Sequence, residues 1–388
     1  MKPSSLTLAV ACGALALGIS ACGSAATTES AAPPSADPAP LDAPPIDFAA
    51  FERTVLDGVA HTEGVVVQHE GKVVFEKYEA GYDANKRHLA YSVSKSVGSA
   101  LIGIAVADGL LQLDDSVCKH VPSQAGADPT LCETTIRDLL HMSSGLAWSE
   151  SYDNPAISNA LPMMYGDEAD MGAYVALRAR AVRTGTRWAY SSGDSNLMAR
   201  ALRGALGGKD MRAWANERLF APAGITSAIF ESDRSGTLVF SSGLYMTPRD
   251  MARFGQLYLD DGLVGGKRIL SSDWIAFSKT AAPSVATPQV RTGTALGERG
   301  GSYGAQFWLN AATADAPVET LTYPTAPRET FCAQGYWGQR VCMVPSRKLV
   351  IVRVGNDRVG FYDVGPAVAA AVAAVDAATN KSSKGDKR

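Results

Sequence analysis

Tyr91-Ser92-Val93-Ser94-Lys95-Ser96, followed by an apolar run that ends near Gly109, decides how the rest of this chain reads. Val97, Ala100, Leu101, Ile104, Ala105 and Ala107 recur at helical spacing, which predicts a helix opening at Ser92. On such a helix Ser92 and Lys95 lie about one turn apart on one face. A hydroxyl with an amine beside it is the minimal arrangement for an activated nucleophile. The free N–H groups of the helix start suit a developing oxyanion. A second Ser-x-x-Lys, Ser116-Val117-Cys118-Lys119, stands in a polar segment with Pro122 close behind and no apolar helix after it. It reads as loop.

The chain has 388 residues, 46% of them hydrophobic, enough for one large core or two medium ones. A net charge of −3 leaves no basic footprint, so nucleic acid is not an expected partner. Lys2, the apolar stretch Leu6 to Leu17 and Ile19-Ser20-Ala21-Cys22 read as a signal peptide over 1–21. Its end resembles a bacterial lipobox, with Ile19 where Leu is preferred, and implies lipid on Cys22 and a membrane anchor. Residues 22–45 are mostly Ala, Pro, Ser, Thr and Asp and read as a disordered tether. A single folded domain over 46–380 and a basic tail over 381–388 complete the organisation. The expected location is extracytoplasmic, on the periplasmic face or the cell surface.

An oxidising compartment favours disulfides among Cys118, Cys132, Cys332 and Cys342, for which three pairings exist. Cys332 and Cys342 flank a hairpin-like Gly335-Tyr336-Trp337-Gly338, and Cys118 and Cys132 flank a Pro- and Gly-bearing loop. The local pairing is the expected one.

Ile46 to Ala60 reads as an amphipathic helix. Gly64–His69 and Lys72–Tyr78 read as strands around a tight Glu70-Gly71 turn. From about 113 to 231 the chain reads as helix and loop, with helices at Ile136–Met142, Met171–Val182 and Tyr190–Leu206. Helices follow at Pro248–Asp260 and Ser272–Thr280, strands at Gln339–Met343 and Leu349–Val354, and an alanine-rich helix at Pro366–Ala378. Strands at both ends with helices between them argue α+β. The expected architecture is an antiparallel sheet flanked by N- and C-terminal helices, with an inserted helical subdomain.

The five histidines fall between His61 and His141, with no H-E-x-x-H or C-x-x-C, so neither a metal nor a cofactor is expected. His141 could serve a Ser-His-Asp triad, but it stands where a helix ends, a common place for a structural histidine. Tyr190-Ser191-Ser192, just before a helix, could supply a proton relay, since a phenol beside an ammonium has its pKa lowered.

Taken together these segments resemble the serine β-lactamase and penicillin-binding superfamily. They are most similar to its class C-like branch of esterases and 6-aminohexanoate-dimer hydrolases. Asp138-Leu139-Leu140-His141-Met142-Ser143-Ser144-Gly145-Leu146 matches the branch's LLxHxSGL stretch, and Tyr190-Ser191-Ser192 its Tyr-x-Asn or Tyr-x-Ser. Ser242-Gly243-Leu244 with Thr247–Gly255, and Gly335-Tyr336-Trp337-Gly338-Gln339, resemble its later segments. The resemblance implies Ser92 as acyl-enzyme nucleophile, Lys95 as base and Tyr190 as proton relay and general acid. Ser192 would support Lys95 or the substrate. The oxyanion hole would use the Ser92 N–H and one from the strand around Ala333, before Gly335. His141 would then be structural.

The superfamily's Lys-Thr-Gly or His-x-Gly strand is replaced here by Glu329-Thr330-Phe331-Cys332-Ala333-Gln334. The strand carries no cation for a substrate carboxylate, and Arg328 and Arg340 are the candidates nearby in sequence. The expected activity is hydrolysis of small esters or amides. A β-lactamase or D-amino-acid peptidase, and a non-catalytic envelope binding protein of the same fold, are the alternatives.

Overall fold

The computed structural model describes residues 46–56, 61–121, 127–285, 302–358 and 362–385. The signal peptide, the tether, Cys22 and residues 386–388 of the tail lie outside the described residues.

A seven-stranded antiparallel sheet is assembled from both ends of the chain. Its spatial order is Lys72–Tyr78, Thr62–His69, Leu349–Gly355, Gln339–Val344, Phe331–Gly335, Trp308–Leu309 and Ser302–Tyr303. The first hairpin turns at Glu70 and Gly71, both at positive φ, as a two-residue connection between twisted strands requires. The two short strands at 302–309 were not read from the sequence. At two residues each they carry no alternation to detect.

Both faces of the central strands are buried, which explains their near-continuous apolar runs, whereas the edge strand Lys72–Tyr78 is largely exposed. Val65, Val67 and Ile351 point into a cluster with Phe51, Val55 and Val368 of the terminal helices Ala49–Leu56 and Gly365–Gly385, and with Phe48 and Val364 just before them. Val66, Val350, Val352 and Val354 point the other way, into the main core. There the helix Pro248–Leu259 lies close enough that a Cβ on Gly255 would sit 2.6 Å from Val350 Cγ1. The terminal helix runs on to Gly385, beyond the Ala378 end expected for it and into the stretch read as a tail.

The helix Val93–Ala107 lies at the centre, buried over nearly its whole length, with Ala90, Val93 and Val97 in one core with Ala333 and Val341 of the sheet. Its polar positions are tied down. Ser96 Oγ donates to the Gln306 carbonyl (2.6 Å) and Ser99 Oγ to that of Ala305 (3.0 Å). Gln306 joins three elements, since its Nε2 donates to the Leu139 and Leu140 carbonyls and its Oε1 accepts from Ser195. Gln306→Ala would strand these groups in the core. A loss of about 3 kcal/mol is expected, read as a lower midpoint in urea unfolding.

Among the described residues between 113 and 231 only Ser192–Ala205 is a long helix; Ile136–Leu140, Ala160–Tyr165, Met171–Ala176 and Met211–Ala215 are one or two turns each. The expected helix over 171–182 stops at Ala176 because tertiary contacts claim the next residues. Ala147 N–H bonds the Ala179 carbonyl, and the Arg180 guanidinium bonds the Ser144 and Thr130 carbonyls. Cys118 is bonded to Cys132 and Cys332 to Cys342, the latter pair directly opposite on adjacent strands. The second Ser-x-x-Lys, read as loop, is a single 3-10 turn over Val117–Lys119 capped by Ser116; Ser116 donates to the Cys132 carbonyl and Lys119 pairs with Asp115.

Candidate active site

Tyr91 sits at φ 47°, a conformation a tyrosine rarely holds, and turns the chain into the central helix. That turn leaves Ser92 at the helix start. The segment Ser241–Leu244 clamps it: Ala90 N–H donates to the Leu244 carbonyl (2.7 Å), and Leu244 N–H donates to Ser94 Oγ (3.0 Å). Among the described residues nothing accepts a hydrogen bond from the Ser92 N–H.

Lys95 Nζ has three partners: Ser92 Oγ at 3.0 Å, Ser192 Oγ at 3.0 Å and the Ser241 carbonyl at 2.8 Å. The side chain is 1% exposed. Burial disfavours its charged form and brings its pKa down to about 8, against the opposing pull of the Glu150 carboxylate.

Tyr190, half-buried, puts its ring 5.0 Å from Lys95 Nζ and its hydroxyl in hydrogen-bonding contact with Ser92. Trp308 stacks on it, and Tyr303 meets it edge-on. Its pKa does not fall, as the neighbouring amine led one to expect. Burial raises it, only partly offset by Ser92, so the phenol holds its proton at neutral pH.

The sequence reading missed Glu150. Its Oε2 accepts from Ser192 N–H (2.8 Å) and Trp148 Nε1 (2.5 Å), and its Oε1 from Ser192 Oγ (2.5 Å) and Tyr152 OH (2.6 Å). A lone Glu in a loop carries no pattern, and only its contacts reveal it. Ser192 opens the helix Ser192–Ala205 under an Ser191 cap, and that helix is tied through Asp194 to Ser144 of the LLxHxSGL-like stretch. Burial raises the Asp194 pKa to about 7.

Gly335 meets the nucleophile turn directly, for a Cβ there would lie 2.2 Å from the Ala90 carbonyl. Ala333 is buried in the core beneath the central helix. Tyr336 and Trp337 follow at the rim, both packed edge-on against Tyr91, with Tyr152 at 5.5 Å from Tyr336.

Neither arginine considered as a stand-in cation faces this rim. Arg340 is buried and bonds the Gly335, Gln339 and Tyr362 carbonyls, and Arg328 bonds the Ala316 carbonyl. A cation does stand at the rim: Arg358, stacked 3.5 Å over Trp337.

His141 lies away from this constellation. It caps the helix Ile136–Leu140, packs on Phe277, and is held neutral by burial, its pKa lowered to about 4. Gly300-Gly301-Ser302-Tyr303-Gly304 spells the G-x-S-x-G of an α/β-hydrolase elbow, but Ser302 belongs to a buried two-residue strand. Among the described residues no group of three His, Cys, Asp or Glu side chains could hold a metal.

The family model for β-lactamase matches residues 48–374. The chain belongs to the β-lactamase family. It is a serine hydrolase of that family and its penicillin-binding relatives. It is 25% identical over 308 residues to the 6-aminohexanoate-dimer hydrolase of Paenarthrobacter ureafaciens, covering 76% of this chain and 72% of the relative. Two solved structures share the fold. A penicillin-binding protein homologue from Caulobacter crescentus superposes with a TM-score of 0.63 at 18% identity, over 84% of this chain and 97% of that one. A family VIII carboxylesterase superposes with a TM-score of 0.64 at 17% identity, over 84% and 95%.

Proposed function

We propose that the chain hydrolyses small esters or amides through an acyl intermediate on Ser92, with Lys95 as base and Tyr190 as proton relay. One observation carries the reading: a fully buried amine, 3.0 Å from the Ser92 hydroxyl, whose pKa is brought down to about 8. Such an amine can take the Ser92 proton as the oxygen attacks a carbonyl. The free Ser92 N–H, with a second N–H from the chain around Ala333 and Gly335, would hold the oxyanion. Tyr190, protonated at rest, would pass its proton to the departing alcohol or amine and regain one from Lys95. Water then attacks the acyl carbon, gives its proton back along the same route, and Ser92 departs as the hydroxyl.

The dimer-hydrolase relative supports an amide or ester substrate, and so does a strand without Lys or His where β-lactamases and peptidases carry one. Export and a lipid anchor on Cys22 are proposed from the N-terminal pattern, with the two disulfides in keeping with an oxidising compartment.

A fluorophosphonate probe followed by peptide mass mapping tests the mechanism. The expected result is a stoichiometric adduct on Ser92, absent in Ser92→Ala, with turnover of p-nitrophenyl esters and none of nitrocefin. No adduct on Ser92 would sink the proposal. Rapid nitrocefin turnover would move the β-lactamase reading to the front.

A further inference from the structure

Resting on that reading, we infer that Glu150 is a positioning residue that acts through Ser192 to aim the lone pair of neutral Lys95 at the Ser92 hydroxyl. Counting hydrogens leads there. A neutral amine has two N–H groups and one lone pair, and Lys95 Nζ has three partners. The Ser241 carbonyl can only accept, so it takes one N–H. Ser192 Oγ could donate or accept, and Glu150 decides which.

The Ser192 hydrogen is committed to Glu150 Oε1 at 2.5 Å, so toward Lys95 the Ser192 oxygen can only accept. Tyr152, 3.3 Å from Ser192 Oγ, gives its own hydrogen to the same Oε1. The second N–H of Lys95 therefore goes to Ser192. The lone pair is left facing Ser92 Oγ, the hydroxyl from which it must take a proton.

Glu150 is 8% exposed, and each of its oxygens accepts two hydrogen bonds, from Ser192 N–H and Trp148 Nε1 on Oε2 and from Ser192 Oγ and Tyr152 OH on Oε1. The other titratable groups around the amine are Tyr190 and Tyr152, both held protonated by burial. Asp194 lies two residues beyond Ser192 in the first turn of the same helix and is bound to Ser144.

Glu150→Gln tests this because its outcome is constrained by geometry. Oε2 faces two obligate donors, Ser192 N–H and Trp148 Nε1, so the glutamine oxygen must take that place. Its NH₂ then occupies the Oε1 position and donates to Ser192 Oγ. The Ser192 hydrogen is displaced toward Lys95 and captures the lone pair. Labelling of Ser92 by fluorophosphonate is expected to slow about 100-fold, the order of a lost general base. The acid limb of its pH profile should move to lower pH, because the anion that raises the Lys95 pKa is gone. KM for a neutral ester should change little while kcat falls.

A merely structural role would lower the melting temperature and leave the labelling rate at the pH plateau near the wild-type value. If Glu150→Gln does not fold, Ser192→Ala and Ser192→Asn carry the test. Asparagine keeps the polarity, oxygen to Lys95 and NH₂ to Glu150, and should recover most of the labelling rate that alanine loses. Wild-type labelling with an unchanged rate and limb in Glu150→Gln, or equal rates in the two Ser192 variants, would overturn the inference. Failure of the wild-type enzyme to label at Ser92 would instead overturn the mechanism beneath it.

Discussion

Lys95→Met is expected to slow acylation of Ser92 by about 1,000-fold, within the range a positioned general base contributes. Ser92→Ala should abolish it. Methionine keeps most of the buried volume and removes the amine, so the variant should still fold and give a clean kinetic reading. The pH profile of the wild-type enzyme provides the matching test. The base must be unprotonated, so kcat/KM should rise about tenfold per unit below the Lys95 pKa of about 8 and level off above it. A rate that stays flat from pH 6 to 9 would exclude Lys95 as the base.

The same shift has a consequence for stability, and its sign is opposite to that of a paired lysine. The folded-state pKa lies below the ordinary value of 10.5. Between those two values the unfolded chain binds a proton that the folded chain does not, so stability rises as pH rises from 8 to 10.5. Conversely it falls as pH drops through that window, by on the order of 3 kcal/mol for a shift of this size, and is constant below it. Lys95→Met lacks this dependence. In melts at pH 8 and pH 10 the variant should therefore gain ground on the wild type as the pH is lowered.

What the sequence made legible was local. Ser92 and Lys95 are three residues apart on a helix whose apolar spacing announces it. The Glu70-Gly71 turn and the apolar runs beside it are equally local signals. Tyr190 and Ser192 were readable because they sit together before a helix.

The rest of the site depends on chain segments that meet only in three dimensions. Glu150 reaches Ser192 across 42 positions and Ser241 reaches Lys95 across 146, with no pattern at either end. Gln306 ties the helices Ile136–Leu140 and Ser192–Ala205 together through a side chain whose neighbours in sequence say nothing of it. The Tyr190 pKa was misjudged for a related reason. Proximity to an amine could be inferred from the sequence, whereas the burial that outweighs it could not.

Gly335→Ala is expected to cost at least about 100-fold in kcat/KM, through displacement and not through lost chemistry. The φ of Gly335 is −125°, open to any residue, so the constraint is one of space. A Cβ would sit 2.2 Å from the Ala90 carbonyl and 2.9 Å from Gln339 Cβ. The Ala90 carbonyl accepts from Val93 N–H at 3.1 Å and belongs to the turn that places Ser92. Being backbone, it cannot swing away as a side chain could, so the strand end and the nucleophile turn must separate. Those two segments are proposed to supply the two oxyanion donors, and a misplacement near 1 Å between such groups costs on the order of 100-fold. The strand itself stays paired with Gln339–Val344, and the disulfide between Cys332 and Cys342 closes the hairpin, so most of the fold should survive. The measurement is labelling rate against melting temperature. A large loss of rate with a small loss of stability is the expected result, and wild-type labelling in a folded Gly335→Ala would show that this strand end takes no part in holding the oxyanion.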